Sequence, residues 1–405
     1  MKKLMFLGGA DIQVPGIKSA KSLGYEVITC DYLPTNPGHE ISDKYYNVST
    51  TDLEGVLKIA RKEKIDGITA YASDPAALTA SYVAEKMGLR GIPFKSATIL
   101  SNKDDFRNFM LDNNIKHPPY SIVTTVDDIV KFVNVYGKSI LKPVDSSGSK
   151  GITIIEKDSD ILSIFKESLK YSRSGRVVIE KFIEKEGDQI GGDVVVLEGK
   201  LVFSGLGNVH FDKSCDPVTP CSVTLPYNND SEKIKQLNNI LQNIFMKLNI
   251  KHGTFNIDAI IDKNGNIYVI EIGARNGGNL TTELIKKQSG FDIVKVTLVS
   301  AVEDVSVKEL EKNYYSNEKS NFCSHYVLHS KYDGILESIE FTDDILKNIF
   351  YSNIKVNKND KINKFNGSKD RIGLCLLEYT SYDEMIDKVY NFDKYVKIKL
   401  KDEKR

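Results

Sequence analysis

Two hydrophobic periods alternate along the first ninety residues. Lys3–Leu7, Glu26–Cys30 and Gly67–Tyr71 are short apolar runs ended by turn-forming residues. Val14–Leu23, Leu53–Lys62 and Pro75–Met87 instead space their apolar residues as a helix does. Gly24 and Gly88 stand where the first and third of these helices should stop, and Asp74 is placed to cap the third. Strand–helix alternation of this kind predicts a parallel sheet covered by helices.

A second unit begins near Pro93. A helix is predicted over Asp104–Asn113, and Pro118-Pro119 then breaks the chain. The strand Lys138–Pro143 runs into a small-residue loop, Asp145 to Gly151, followed by a strand over Ile152–Ile155, a helix over Ile161–Tyr171 and a strand over Val177–Phe182. Asp193–Leu197 and Lys200–Ser204 read as strands joined at Glu198-Gly199, and Leu237–Leu248 as a helix. Thr254–Ile261 and Ile267–Ile272 are expected to pair as a hairpin, with Asn264-Gly265 as a type I′ turn. Phe291–Ala301 completes the unit as a helix. Beyond about residue 305 the pattern loosens into short strands (Ser324–Leu328, Arg371–Tyr379, Tyr395–Leu400), a helix over Ser381–Val389 and a polar loop at Asn357–Lys364. The expected class is α/β and α+β, divided at 1–95, 96–305 and 306–405.

Charge and cysteine content narrow the function. Lys+Arg and Asp+Glu are both 55, so nothing suggests nucleic-acid binding by bulk charge. No apolar run reaches the roughly 18–20 residues of a membrane span. The apolar start Leu4–Leu7 is ended by Gly8-Gly9 and is too short for a signal sequence. A cytoplasmic protein is expected, with no nucleic-acid or membrane partner. The five cysteines contain no C-x-x-C pair, and Cys215 and Cys221 read as ordinary thiols.

Four stretches carry candidate chemistry. Lys142 followed by Ser146-Ser147-Gly148-Ser149-Lys150-Gly151 suits phosphate, because glycines expose backbone N–H groups and the hydroxyls and Lys150 add donors. It is not a Walker A loop, and a plain surface hairpin fits it as well. Glu180-Lys181-Phe182-Ile183 could present backbone groups to a purine edge, with Asp188 holding a ribose hydroxyl; a surface strand end is the alternative. Asp258 and Glu271 fall level on the predicted hairpin, about 5 Å apart at Cβ. Two acids in apolar strands need a cation, and magnesium suits them; facing solvent or pairing with Lys or Arg is the other reading. Arg275-Asn276-Gly277-Gly278-Asn279 follows, with Arg275 placed to reach a phosphate or a substrate carboxylate. His210 reads either as a lining residue of an acceptor pocket or as an ordinary strand-end residue, and His117 as structural.

In this order the stretches resemble the ATP-grasp superfamily over roughly residues 1–300. The resemblance rests on Lys103-Asp104-Asp105-Phe106-Arg107, Ile140-Leu141-Lys142-Pro143 with its loop, Ile179 to Ile183, Phe255-Asn256-Ile257-Asp258 and Ile270-Glu271-Ile272-Gly273-Ala274-Arg275. It implies an N-terminal parallel βαβ domain, a two-lobed ATP-grasp fold with a lid at about 120–185, and a C-terminal α+β region. It implies ATP and two Mg2+ ions (or Mn2+) as cofactors. Lys103 and Lys142 would contact the phosphates, and Ser147, Gly148, Ser149, Lys150 and Gly151 would form the flap over them. Glu180 and the backbone of Lys181, Phe182 and Ile183 would hold the adenine, Asp188 the ribose, and Asp258 and Glu271 the metal. Arg275, with Lys150, would be catalytic, and Gly9, His210, Asn276 and Asn279 would face substrate. One departure stands out: Gly273 occupies the position of a metal-ligating Asn, which leaves Asn276, Asn279 or water to replace it. The implied activity is carboxylate activation as an acyl phosphate for attack by an amine, on small-molecule substrates, in a homodimer. A carboxylase- or formyltransferase-like enzyme acting on a nucleotide intermediate is the second reading, and a non-catalytic nucleotide-binding protein the third.

Overall fold

The computed structural model describes residues 1–227 and 231–401. Lys3–Leu7 pairs in parallel with Glu26–Asp31 on one side and Gly67–Thr69 on the other. Lys44–Asn47 adds a fourth parallel strand at the edge. That strand was not anticipated, since Lys-Tyr-Tyr-Asn has no apolar alternation; beside its ladder, Lys44 pairs with Glu26 and Glu63, and the Tyr45 hydroxyl donates to Asp31 O. The helices Val14–Ser22, Leu53–Glu63 and Asp74–Met87 cover the sheet, and Gly88 ends the third in the left-handed region as expected. The cap is Ser73 and not Asp74, which is the first helical residue and is engaged elsewhere. Ile17 and Ala20 pack against Val294, Leu298 and Val302, so the helix Ile293–Ser300 fastens this layer to the rest.

The segment expected as a lid is an antiparallel four-stranded sheet in the order Tyr120–Val123, Val177–Lys181, Ser139–Pro143, Thr153–Ile155. The helices Val126–Tyr136 and Ile161–Lys170 pack on it through Ile129, Phe132, Val133 and Phe165. The first of these helices went unread, although Thr125 and Asp128 form a capping box at its start.

An eight-stranded antiparallel sheet forms the centre. Its order is Ile267–Gly273, Gly253–Ile261, Gln189–Leu197, Lys200–Phe211, Pro220–Leu225, Phe322–Leu328, Gly373–Tyr379, Ile349–Ile354. The last three strands come from beyond residue 305 and continue the ladder of the first five. One face packs Ile190, Val194, Phe255 and Ile257 against Leu237, Leu241 and Phe245 of the helix Ser231–Lys247. Alternation therefore turns Gln189, Gly191, Asp193 and Asp258 to the other face.

Close strand approach in the middle of this sheet needs glycine. Gly192 has φ +144°, and a Cβ there would lie 2.2 Å from the Gly205 carbonyl oxygen. Gly192→Ala is expected to cost about 1–3 kcal/mol, read as a lower denaturation midpoint at unchanged m-value.

Candidate nucleotide and metal site

The hairpin Gly253–Ile261/Ile267–Gly273 forms as expected, but not on a type I′ turn. Only Gly265 has positive φ. Gly265 N–H donates to Asp262 O and Asp262 N–H to Asn266 O, while the Asp262 carboxylate collects the N–H groups of Asn264 and Asn266. This is a three-residue loop with a left-handed glycine, which sets a register one residue off the one a type I′ turn would give. Strand pairing starts in that register, with Ile261 opposite Ile267 and Ala259 opposite Val269. A bulge at Ile270 then shifts it, and Asp258 pairs with Glu271 after all. The bulge also re-aims Glu271, so that it turns toward Asp258 and not into the core beside Val269.

Both acids line a cavity of about 560 Å³ between the lid sheet and the central sheet. Asp258 is half-buried and accepts a hydrogen bond from Gln189 Nε2 at 2.8 Å. Burial, then the Glu271 charge, push its carboxyl up to about 6. Among the described residues no cation forms an ion pair with Asp258, whereas Glu271 Oε2 lies 3.7 Å from Lys103 Nζ. Two register-paired carboxylates at a cavity wall, one of them lacking a counter-charge, fit a divalent cation. A proton held up to about pH 6 in the fold but only to the ordinary 3.8 in the open chain stabilises the fold at low pH. That contribution is lost as pH rises from about 4 to about 6. In the metal-free protein Asp258→Asn should therefore gain stability relative to wild type across that window, by up to roughly 3 kcal/mol. Paired urea titrations at pH 4 and pH 7 that give equal differences would contradict this.

Opposite the acids, Lys142 enters the cavity from the strand Ser139–Pro143. Its Nζ donates to Glu180 Oε2 at 2.6 Å, and Arg107 Nε donates to Glu180 Oε1 at 2.8 Å. Arg107 Nη2 also donates to Ile270 O at 2.9 Å, so one buried triad links the four-stranded sheet, the helix Lys103–Asp112 and the bulge in the strand Ile267–Gly273. Burial pushes Glu180 up, but Arg107 and Lys142 outweigh it and hold the carboxyl at about 2. The same burial lowers Lys142. The Glu180 carboxylate is thus committed to two cations and orients Lys142. The N–H groups of Lys181 and Phe182 are likewise taken, by Pro119 O and Lys138 O. Ile183 is the next residue along the cavity wall.

The phosphate-type loop meets the cavity through Ser149, whose hydroxyl donates to Val218 O at 2.9 Å. Gly148, Ser149 and Gly151 all have positive φ. Lys103 Nζ donates to Ser146 O at 2.8 Å and so ties this loop to Glu271. Gly148, Lys150 and Gly151 border a neighbouring space of about 500 Å³ that Ser368 and Lys369 also line, and Ser147 borders neither.

The other expected site residues lie elsewhere. Arg275 donates from Nε and Nη2 to the two oxygens of Asp74, both at 2.6 Å, and does not line the large cavity. Asn276 is buried, its amide spent on Thr254 and Thr297, and offers nothing to a metal at Glu271. Asn279 accepts from Arg371, which also reaches Asp11, and Lys355 joins Asp11 at 2.8 Å. Gly9 packs on His39, where a Cβ would come within 2.4 Å of the ring. Asp188 accepts from Tyr390 Oη and lies 3.7 Å from His210 Nδ1. His210 follows Val209, the partner of Gln189, so its ring points away from Asp258 and meets Tyr390 edge-on. Gln189, Arg107 and Asp74 were missed. Of these only Asp74 left a signal, as an acid at a helix start. All five cysteines are free. Cys215 lies near Asp212 and His329, where Lys331 already stands 3.7 Å from the Asp212 carboxylate. Among the described residues no helix is long and apolar enough to cross a membrane.

Residues 137–283 match the family model of an ATP-grasp domain. The carbamoyl phosphate synthase large chain of Pseudothermotoga lettingae is 24% identical over 283 residues, 67% of this chain and 25% of that protein. This chain therefore spans about a quarter of that relative's length. The formate-dependent phosphoribosylglycinamide formyltransferase of Aliivibrio fischeri is 25% identical over 303 residues, covering 71% of this chain and 73% of that protein. Among solved structures, the L-amino acid ligase from Bacillus licheniformis superposes with a TM-score of 0.83 at 19% identity, covering 99% of each chain.

Proposed function

Residues 137–283 match an ATP-grasp domain, and from that premise we propose that the chain is an ATP- and magnesium-dependent ligase, joining a carboxylate to an amine through an acyl phosphate. The observation that carries the reading is one cavity in which Asp258 and Glu271 face Lys103, Lys142 and Ser149. Asp258 and Glu271 would hold the magnesium, two ions at most. When bound, the metal supplies charge neutralisation at the phosphates and fixes their geometry. Lys142, aimed by Glu180, and Lys103 add positive charge to the same phosphates. Ile140, Ile154, Ile260 and Phe182 give the apolar walls that an adenine ring needs. The loop around Ser149 closes over the phosphates and keeps water from the activated carboxyl group. Arg275 meets the transferring phosphoryl group once Asp74 releases it. Catalysis of this kind is positioning and electrostatics throughout.

The test is phosphate and ADP release from ATP and magnesium with pairwise pools of amino acids and small acids. Release above background in at least one pool, with a new C–N bond by mass spectrometry, is expected. Background rates in every pool would overturn the ligase reading. The name of the Aliivibrio fischeri relative favours formate as the second reading, and formate and bicarbonate each belong in the panel as a separate arm.

A further inference from the structure

Asp193 lies in the middle of the strand Gln189–Leu197 with none of its surface exposed. It shares the sheet face of Gln189 and Asp258, yet it does not line the nucleotide cavity. A sealed carboxylate is costly unless donors surround it. Gly277 N–H meets Oδ1 at 2.9 Å and Oδ2 at 2.8 Å, and Asn256 Nδ2 donates to Oδ1 at 2.9 Å. All of these donors are neutral, and no lysine or arginine forms an ion pair with Asp193 among the described residues. Even with these donors, burial pushes the carboxyl up to about 6. A metal ligand would face the cavity, and a purely structural acid would be paired with a cation. Asp193 instead clasps the backbone two residues past Arg275.

The rest of the loop is fastened around that contact. Asn276 is bonded to Thr254 and Thr297 on one side, and Asn279 to Arg371 on the other. Gly277 leaves no room for a side chain: a Cβ would lie 2.9 Å from Asp193 Oδ1 and 3.0 Å from Asn256 Nδ2. The missing Cβ is what lets its N–H reach both carboxylate oxygens. Arg275 thus projects from a fixed root, while its guanidinium is held, among the described residues, by the Asp74 carboxylate and by Asn276 O at 2.9 Å. A fixed root with an exchangeable head suits a cation that must leave Asp74 and find a phosphoryl group without searching.

We propose that Asp193 is a positioning residue for Arg275, fixing the 275–279 loop through Gly277 N–H so that the guanidinium reaches the transferring phosphoryl group. This rests on the reading of Arg275 as the cation that meets that group.

The test uses the full chain with Asp193→Asn and two readouts. The first is hydrogen exchange, which needs no substrate. Faster exchange is expected across 274–280, with the strands 189–197 and 253–261 as protected as in wild type. Unchanged exchange at 274–280, or loss of protection in those strands as well, overturns the proposal. The second is a double-mutant cycle on turnover, with a substrate pair from the pool screen. Asp193→Asn should lower kcat about 10–100-fold, with KM for ATP within about twofold, and should cost less than about twofold further in an Arg275→Ala background. Losses that multiply across the two backgrounds would show that Asp193 acts independently of Arg275. Should Asp193→Asn not fold, Asn256→Ser, which removes one donor and keeps the carboxylate, carries the same readouts. A failed pool screen removes the ligase reading and leaves the exchange result to decide whether Asp193 fixes the loop.

Discussion

Glu271→Gln should lower ATP turnover by about 10³-fold, roughly 4 kcal/mol of transition-state stabilisation, while the protein remains folded. The bulge at Ile270 places Glu271 opposite Asp258 at the cavity wall, where a carboxylate can share a divalent ion with its partner. The amide is the same size but carries no charge and offers one weak oxygen ligand. Removing the charge also relieves Asp258, whose carboxyl is pushed up in part by Glu271. Metal-free Glu271→Gln should therefore melt at or above the wild-type temperature at pH 7, while its magnesium dependence weakens. Steady-state ADP production near the wild-type rate would remove Glu271 from the metal site.

The largest stability effect belongs to a residue outside the cavity. Arg107→Met should destabilise the fold by about 3–5 kcal/mol, the usual cost of removing one member of a buried, ion-paired group. Arg107 is only 1% exposed and satisfies Glu180 and the Ile270 carbonyl together. Its loss leaves Glu180 with Lys142 alone and frees the bulge that aims Glu271. Both a lower melting temperature and weaker nucleotide binding should follow. The companion Arg107→Met/Glu180→Gln, which leaves Lys142 buried without its counter-charge, should recover none of the stability. A single substitution that melts within a degree or two of wild type would show that the triad is not under the strain of burial assigned to it.

Much of this site was legible because short-range pattern and chemistry agree there. Lys142 sits in an apolar strand before a small-residue loop, and Asp258 and Glu271 stand out in apolar strands around Asn264-Gly265. Their pairing was read correctly for an incomplete reason. The loop is one residue longer than a type I′ turn, the bulge at Ile270 shifts the register back, and the two departures cancel. What stayed hidden was long-range. Glu180 reads as a strand-end acid until Arg107, 73 residues away in sequence, is seen beside it. Asp74 reads as a cap, yet it holds Arg275 from 201 residues away. His210 stayed open between a pocket residue and a strand-end residue because a strand residue faces one side or the other of a sheet, and only its neighbours across the ladder decide which. Asn276 and Asn279 look like free polar groups beside a glycine pair, but anchoring the loop consumes them both.

The central ladder runs from the edge strand Ile267–Gly273 through Pro220–Leu225 to the strands contributed after residue 305. A chain ended near 305 would strip Phe322–Leu328 from Pro220–Leu225, leaving the row of backbone N–H and C=O groups at residues 222–225 unmatched. Such a fragment would recruit other copies to that raw edge and come out of solution. The last hundred residues are therefore stitched into the central sheet, and the two parts are not separable modules.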